Sequence, residues 1–179
     1  IKSLEADFCS WPMRGRLSFN ADAVDFFNDA GEVGVSASQR IKGIVLHDIL
    51  AQIYVKDDID AAVERAVVSG VLSAEESENV KELLRSRIAS VESEGWFTVD
   101  PICVLNETEL IYKKGKVCRP DRVVKDGNVV KIVDYKFGEH DSEYEKKLSM
   151  YADLWRDMGY TVESACLWYV ATGEIVRVC

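Results

Sequence analysis

The sequence predicts an α+β protein, a mainly helical first half followed by a sheet with one helix inserted in it. Three observations carry this. Apolar residues recur at helical spacing up to about residue 95, short β-prone runs take over from Trp96, and Val123–Val130 sets two valine pairs around Asp126-Gly127, a hairpin signal. The 179 residues are 47% hydrophobic and 30% charged, a globular balance at a length suited to one domain. The expected organisation is a single domain over 1–179, with a helical part at about 20–95 and a sheet core at about 96–179.

Each element follows from its own pattern. Ile41–Tyr54 carries apolar residues at 41, 45, 49 and at 46, 50, 53, the spacing of a largely buried helix. Asp57, Asp58 and Asp60 offer N-caps for a short helix ending near Gly70. Ser73-Ala74-Glu75-Glu76 reads as a capping box and opens a longer helix through Leu84 and Ile88 toward Gly95. Trp96–Val99, Ile102–Leu105 and Leu110–Tyr112 read as short strands. Beyond the hairpin, a helix from about Ser142 to Met158 is stopped by Gly159. Ala165–Val170 and Ile175–Val178 close the sheet.

Composition narrows the function. The formal charge of −9 and pI near 4.8 argue against a free-standing DNA binder, which needs surplus Lys and Arg against phosphate. No apolar run approaches the ~20 residues of a membrane helix. The amino end, Ile1-Lys2-Ser3-Leu4-Glu5, has neither the basic nor the apolar region of a signal peptide, and its lack of an initiator Met suggests a piece of a longer chain. Cys9, Cys103, Cys118, Cys166 and Cys179 are odd in number and scattered. They read as reduced thiols of a cytoplasmic protein, not as a disulfide framework or zinc site.

The hairpin orders the chemistry. With Asp126-Gly127 as the turn, Val123 faces Val130 and Asp121 faces Ile132, so Asp121, Asp134 and Lys136 share one sheet face. The two carboxylates become diagonal neighbours, about 7–8 Å apart at the backbone. Such a pair suits a hard divalent cation that keeps waters and takes a phosphate, and a lysine one pleat on can stabilise developing charge. Spacing alone leaves this open against a solvated face with a cross-strand Asp–Lys pair.

Arg119-Pro120-Asp121-Arg122-Val123-Val124 followed by Val133-Asp134-Tyr135-Lys136-Phe137-Gly138 resembles the PD-(D/E)XK nuclease superfamily. In more detail, it looks like the RecB-type nuclease domain at the carboxyl end of UvrD/Rep-like helicases. Gly43–Leu50 is similar to the family's G-x-x-x-H-x-x-L helix, and Tyr144–Tyr151 to its Y-x-x-Q-(L/V)-x-x-Y helix. Asn106-Glu107 looks like the upstream strand with an acidic residue. The resemblance runs from about Ile41 to the carboxyl end, with its motifs in the family's order.

The resemblance implies a restriction-endonuclease-like mixed sheet flanked by helices, and a Mg²⁺- or Mn²⁺-dependent deoxyribonuclease. It would act as an exonuclease, the module of a helicase–nuclease that processes DNA ends in repair and recombination. Its partners would be DNA and a helicase motor, with no membrane. Asp121, Asp134, Lys136 and Glu107 would be catalytic. His47, Asp121, Asp134 and the Tyr135 carbonyl would ligate the metal. By pattern alone His47 reads as a core histidine, and Glu107 and Glu109 are not separable; the family pattern favours Glu107.

Arg119, Arg122, Lys147 and Tyr151 are the expected DNA contacts. Lys147 stands where relatives carry Gln, and cannot offer an amide oxygen to a water. Tyr151 reads equally as a core aromatic beside Leu148 and Trp155. Trp96, Trp155, Trp168 and Tyr169 read as core more than as a stacking platform. The four-cysteine spacing of an iron–sulfur cluster does not occur, so no cluster is expected. The alternatives are a catalytically inactive DNA-binding or scaffolding module of the same fold, and a hydrolase of small phosphate esters. Charge by segment fits the nuclease reading: Asp57–Glu78 has seven acidic residues against one basic, net −6, and Lys113–Lys136 eight basic against three acidic, net +5.

Overall fold

Sequence spacing around His47 yields a helix over Ala37–Ala51 (α1), the first element of a computed structural model that describes residues 37–112 and 116–179. Expectations on 20–36, Cys9, the amino end, Lys113 and Lys114 lie outside the described residues. After α1 come Ile59–Val68 (α2) and Ala74–Ser90 (α3). Ser73 caps α3 as its sequence requires, Oγ accepting from the Glu76 N–H at 3.3 Å. Asp58 does not cap α2 with its side chain. Its Oδ2 accepts instead from the Tyr54 and Val55 amides, at 2.9 and 3.0 Å, and closes the turn after α1.

Trp96–Val99 is not a strand. Trp96 O accepts from the Arg122 guanidinium and Phe97 O from the Lys56 N–H, so those carbonyls have no ladder to join, and both consecutive side chains are buried. Strands follow at Val104–Asn106 (β1), Leu110–Tyr112 (β2), Lys116–Cys118 (β3), Arg122–Asp126 (β4) and Val129–Lys136 (β5). Helix Ser142–Asp157 (α4), then Thr161–Tyr169 (β6) and Glu174–Arg177 (β7), complete the chain.

The main sheet has five strands in the order β1-β4-β5-β6-β7, with β2 and β3 forming a separate antiparallel ribbon. It is mixed: α4 crosses over from β5 to a parallel β6, while the other pairs are antiparallel. The architecture is thus α+β, with the hairpin strands at and beside the centre of the sheet.

The hairpin register differs from the expectation by two residues. Val123 pairs with Ile132 and Asp126 with Val129, so the turn is Gly127-Asn128. Gly127 has φ 56°, the left-handed value a type II′ turn needs at its first central residue. Asn128 then ties the turn to the start of β6: its O accepts from Thr161 N at 2.8 Å, and its Nδ2 donates to Gly159 O at 2.9 Å. A slip of two preserves the faces, because side chains alternate with period two. Asp121 therefore keeps its predicted side, and the register carried one residue further sets it opposite Asp134 rather than diagonal to it.

Two apolar layers sandwich the sheet. Val133, Tyr135, Cys166 and Trp168 pack with α1, α2, α3 and Trp96 on one face. Ile132, Ala165, Leu167 and Tyr169 pack with Leu148, Tyr151 and Trp155 of α4 on the other. Trp96, Trp155, Trp168 and Tyr169 are all buried in these layers. Among the described residues no helix is long and apolar enough to cross a membrane.

Candidate functional site

Four chain segments meet at one end of the sheet. The amino end of β4 brings Asp121, the carboxyl end of β5 brings Asp134 and Lys136, and β1 leads into Glu107. Helix α1 brings His47 from the opposite layer. Gly43 makes that approach possible: a Cβ there would stand 3.1 Å from the Phe137 Cβ, so α1 could not press as closely on the chain beyond β5. His47 then lies edge-on to Tyr135 and Phe137, with ring centroids 6.1 and 6.5 Å away.

The polar contacts are specific. His47 Nε2 is 3.0 Å from Asp121 Oδ1, and Nδ1 is 3.5 Å from Glu107 Oε1. Asp121 Oδ2 accepts from the Tyr135 N–H at 2.6 Å. Lys136 Nζ pairs with Asp134 Oδ2 and sits 4.3 Å from the centroid of the Tyr144 ring. Asp121 and Asp134 are each only 3% exposed. Arg119 Nη1 reaches Glu107 at 4.0 Å. Glu107 itself has φ 47°, and its N–H donates to Asp121 O at 3.0 Å. That strained turn ties the two acidic residues together.

Charge is concentrated here. Burial works against protonation of His47, yet Asp121, Glu107 and Asp134 together push its pKa up to about 9. Burial equally opposes ionisation of Asp121, but His47, Lys136 and the Tyr135 N–H hold its carboxyl below the usual range. Burial and then the charge of Asp121 push Asp134 up. Lys136 is raised despite its burial, because Asp134 and Asp121 hold its proton. Two carboxylates side by side are thus balanced by two cations from opposite layers.

Asp134 Oδ1 is buried with no hydrogen-bond partner, an orphaned acceptor in the field of the Asp121 carboxylate. This donor chemistry suits Mg²⁺ or Mn²⁺. Among the described residues, however, no three His, Cys, Asp or Glu side chains stand arranged to hold a metal ion. His47 is paired with Asp121, and Asp134 Oδ2 with Lys136. An imidazole binds a metal only in its deprotonated form, so His47 could serve as a ligand only after giving up its proton.

The expected DNA contacts divide. Arg119 borders the centre through Glu107. Lys147 lies within reach of it, 5.7 Å from the Tyr151 ring centroid, and lowers the pKa of Asp134 by its charge. Tyr151 is buried in the α4 layer and presents no surface to a nucleic acid.

Arg122 is a correction. It is 0% exposed and donates to Trp96 O, Ile53 O, Tyr54 O and Asn106 Oδ1, with its guanidinium 4.1 Å over Phe97. The period-two pattern contained the signal, because Arg122 falls on the face opposite Asp121. Asn106 Nδ2 joins it by donating to Ala51 O and Ile53 O. Together they receive the carbonyls at the end of the helix that carries His47.

The basic surplus of 113–136 is correspondingly smaller at the surface. Arg122 is interior, Lys136 is paired with Asp134, and Lys131 binds Glu94 O and Glu163. Glu109 is exposed. Neither the protein-family models nor the curated proteins compared with this sequence include a match.

Proposed function

We propose that this chain is a Mg²⁺- or Mn²⁺-dependent deoxyribonuclease with a restriction-endonuclease-like fold. In this reading it is a RecB-type PD-(D/E)XK domain working as an exonuclease beside a helicase motor that feeds it DNA. One observation carries the proposal: Asp121 and Asp134 are buried side by side with Lys136, and Asp134 keeps an oxygen without a partner.

Asp121, Asp134, the Tyr135 carbonyl and deprotonated His47 would hold the cation, which when bound supplies Lewis-acid polarisation of the phosphate and an acidified water. Lys136, oriented by Asp134 and Tyr144, sets a positive charge where the non-bridging phosphate oxygens gain charge as water attacks phosphorus and the sugar oxygen departs. Asp121 is held in place by the Tyr135 N–H and ties that strand to His47. Glu107 and Arg119 orient His47 from its other nitrogen.

The test is digestion of end-labelled single- and double-stranded DNA in Mg²⁺ and in Mn²⁺, comparing native protein with Asp134→Asn. Loss of about 10²–10³-fold in the variant is expected, the size of effect seen when one group stabilising transition-state charge is removed. Equal rates in both, or no cleavage by native protein alone or joined to a helicase, would remove the reading. Lys147 in place of glutamine favours the rival, an inactive DNA-binding module, and the second of those outcomes is its signature.

A further inference from the structure

We propose that His140 is the stacking platform of a nucleobase subsite beside the Lys136 centre, one that takes an unpaired base and so selects single-stranded nucleic acid. This rests on the nuclease reading above and names the strand class that site receives. The subsite lies outside the carboxyl ends of the parallel pair β5 and β6. Lys136 and Tyr169 are register partners at those ends, about 4.8 Å apart across the ladder.

Tyr169 is buried in the apolar layer under α4. It is therefore a fixed floor. The His140 ring lies flat on it, with centroids 4.0 Å apart and 14° between planes. Glu174 Oε2, 3.1 Å from Nε2, fixes the ring's rotation. The His140 side chain is nonetheless 56% exposed. With one face against Tyr169, that exposed area is the other face and the edge.

No other ring contact among the described residues has this form. The rest are tilted or edge-on, between 58° and 72°, as rings pack in cores and against them. A ring held flat, immobilised on two sides and open on the third is the geometry that accepts a base. In a duplex both faces of a base are covered by its neighbours. Only an unstacked base offers one, and reading such bases on aromatic rings is how single strands are recognised. Lys136 on one side and Arg119 and Lys147 near the same centre supply the positive charge that a phosphate backbone requires. Tyr169, like Trp96, Trp155 and Trp168, is buried, so in this subsite it is the support and His140 the surface.

The experiment measures binding of a fluorescein-labelled oligothymidylate, an abasic oligonucleotide of equal length and a duplex, all in Ca²⁺ to suppress cleavage. Native protein, His140→Ala and His140→Phe are compared, with thermal melts to confirm folding. One stacked base is worth about 1–3 kcal/mol, so His140→Ala should bind oligothymidylate roughly 5- to 100-fold more weakly. His140→Phe should restore most of the loss, and the duplex and abasic strands should be insensitive to both changes. Native-like binding of oligothymidylate by His140→Ala, no binding of single strands by native protein, or an equal loss on the abasic strand would each overturn the proposal. Failure of the nuclease reading looks different: His140-dependent binding persists while native protein cleaves nothing in Mg²⁺ or Mn²⁺.

Discussion

Arg122 and Lys136 are both buried cations, yet their surroundings are opposite in kind. Arg122 is surrounded by neutral acceptors, three backbone carbonyls and an amide oxygen, so its donors are met and no carboxylate is drawn in. Lys136 is surrounded by charge, two carboxylates with an imidazole behind them, and one oxygen stays unmet. The first arrangement is closed and can only hold elements together. The second carries interactions that are not mutually satisfied, which is what a site must keep available for a substrate. Their separation is one residue, Asp121 to Arg122, and the alternation of side chains across a strand is what divides them.

The largest expected effects test that division directly. Arg122→Met leaves the carbonyls of Tyr54 and Trp96 without donors and Ile53 O with Asn106 alone, and should lower unfolding free energy by about 3–5 kcal/mol, read by urea titration. Asp134→Asn should stay within about 1 kcal/mol of native in the same titration. Its carboxyl is pushed up where it stands, so the neutral isostere suits the burial, and Asp121 remains for Lys136. The division breaks if Asp134→Asn unfolds as readily as Arg122→Met.

Next in size is a pH effect confined to the charged region. His47 has a pKa of about 9 in the folded protein against 6.5 unfolded. A raised pKa means that stability is fully present below pH 6.5 and is lost as pH climbs through 9. Without divalent cations the loss should be about 2–3 kcal/mol. Asp134, also raised, contributes in the same direction over its own range. Lys136 stays protonated throughout, and so does Arg122. Urea midpoints from pH 6 to 9.5 on native protein and His47→Gln check this: the variant should lose most of the slope. A slope unchanged in His47→Gln would mean that the pairing with Asp121 is not what the folded state holds.

Much of this region was legible from pattern because it rests on local rules. The Asp126-Gly127-Asn128 stretch implied a hairpin, and period two put Asp121, Asp134 and Lys136 on one face even though the turn lies one residue later than expected. The α1 spacing marked the helix that carries His47. What pattern could not supply was tertiary. The Trp96–Val99 backbone is claimed by Arg122 from 26 residues away, which no strand propensity reports. His140 lies outside every periodic element, so nothing in its neighbours suggested that Tyr169 would carry it. Arg122 was legible in principle, since the same alternation that exposes Asp121 to the site turns its neighbour inward, but adjacency to a motif outweighed parity.

Asn106→Ala produces the smallest effect and makes the sharpest comparison, because Asn106 belongs to the Arg122 junction and precedes Glu107. Its side chain donates to Ala51 O at 2.9 Å and Ile53 O at 3.2 Å, and accepts from Arg122 Nη1 at 3.2 Å. Truncation removes those bonds but leaves Arg122 in position over the Ile53 and Tyr54 carbonyls, so about 1–2 kcal/mol of unfolding free energy should be lost. Combined with Arg122→Lys, the two losses should couple by at least 0.5 kcal/mol, as expected for residues sharing acceptors. Cleavage rate under conditions where the variant is fully folded should stay within about threefold of native, because the pairs His47–Asp121 and Lys136–Asp134 do not pass through the amide. A fall comparable to that in Asp134→Asn would show that the junction positions Glu107 and His47 as well as holding the layers, and the two regions would then be one machine.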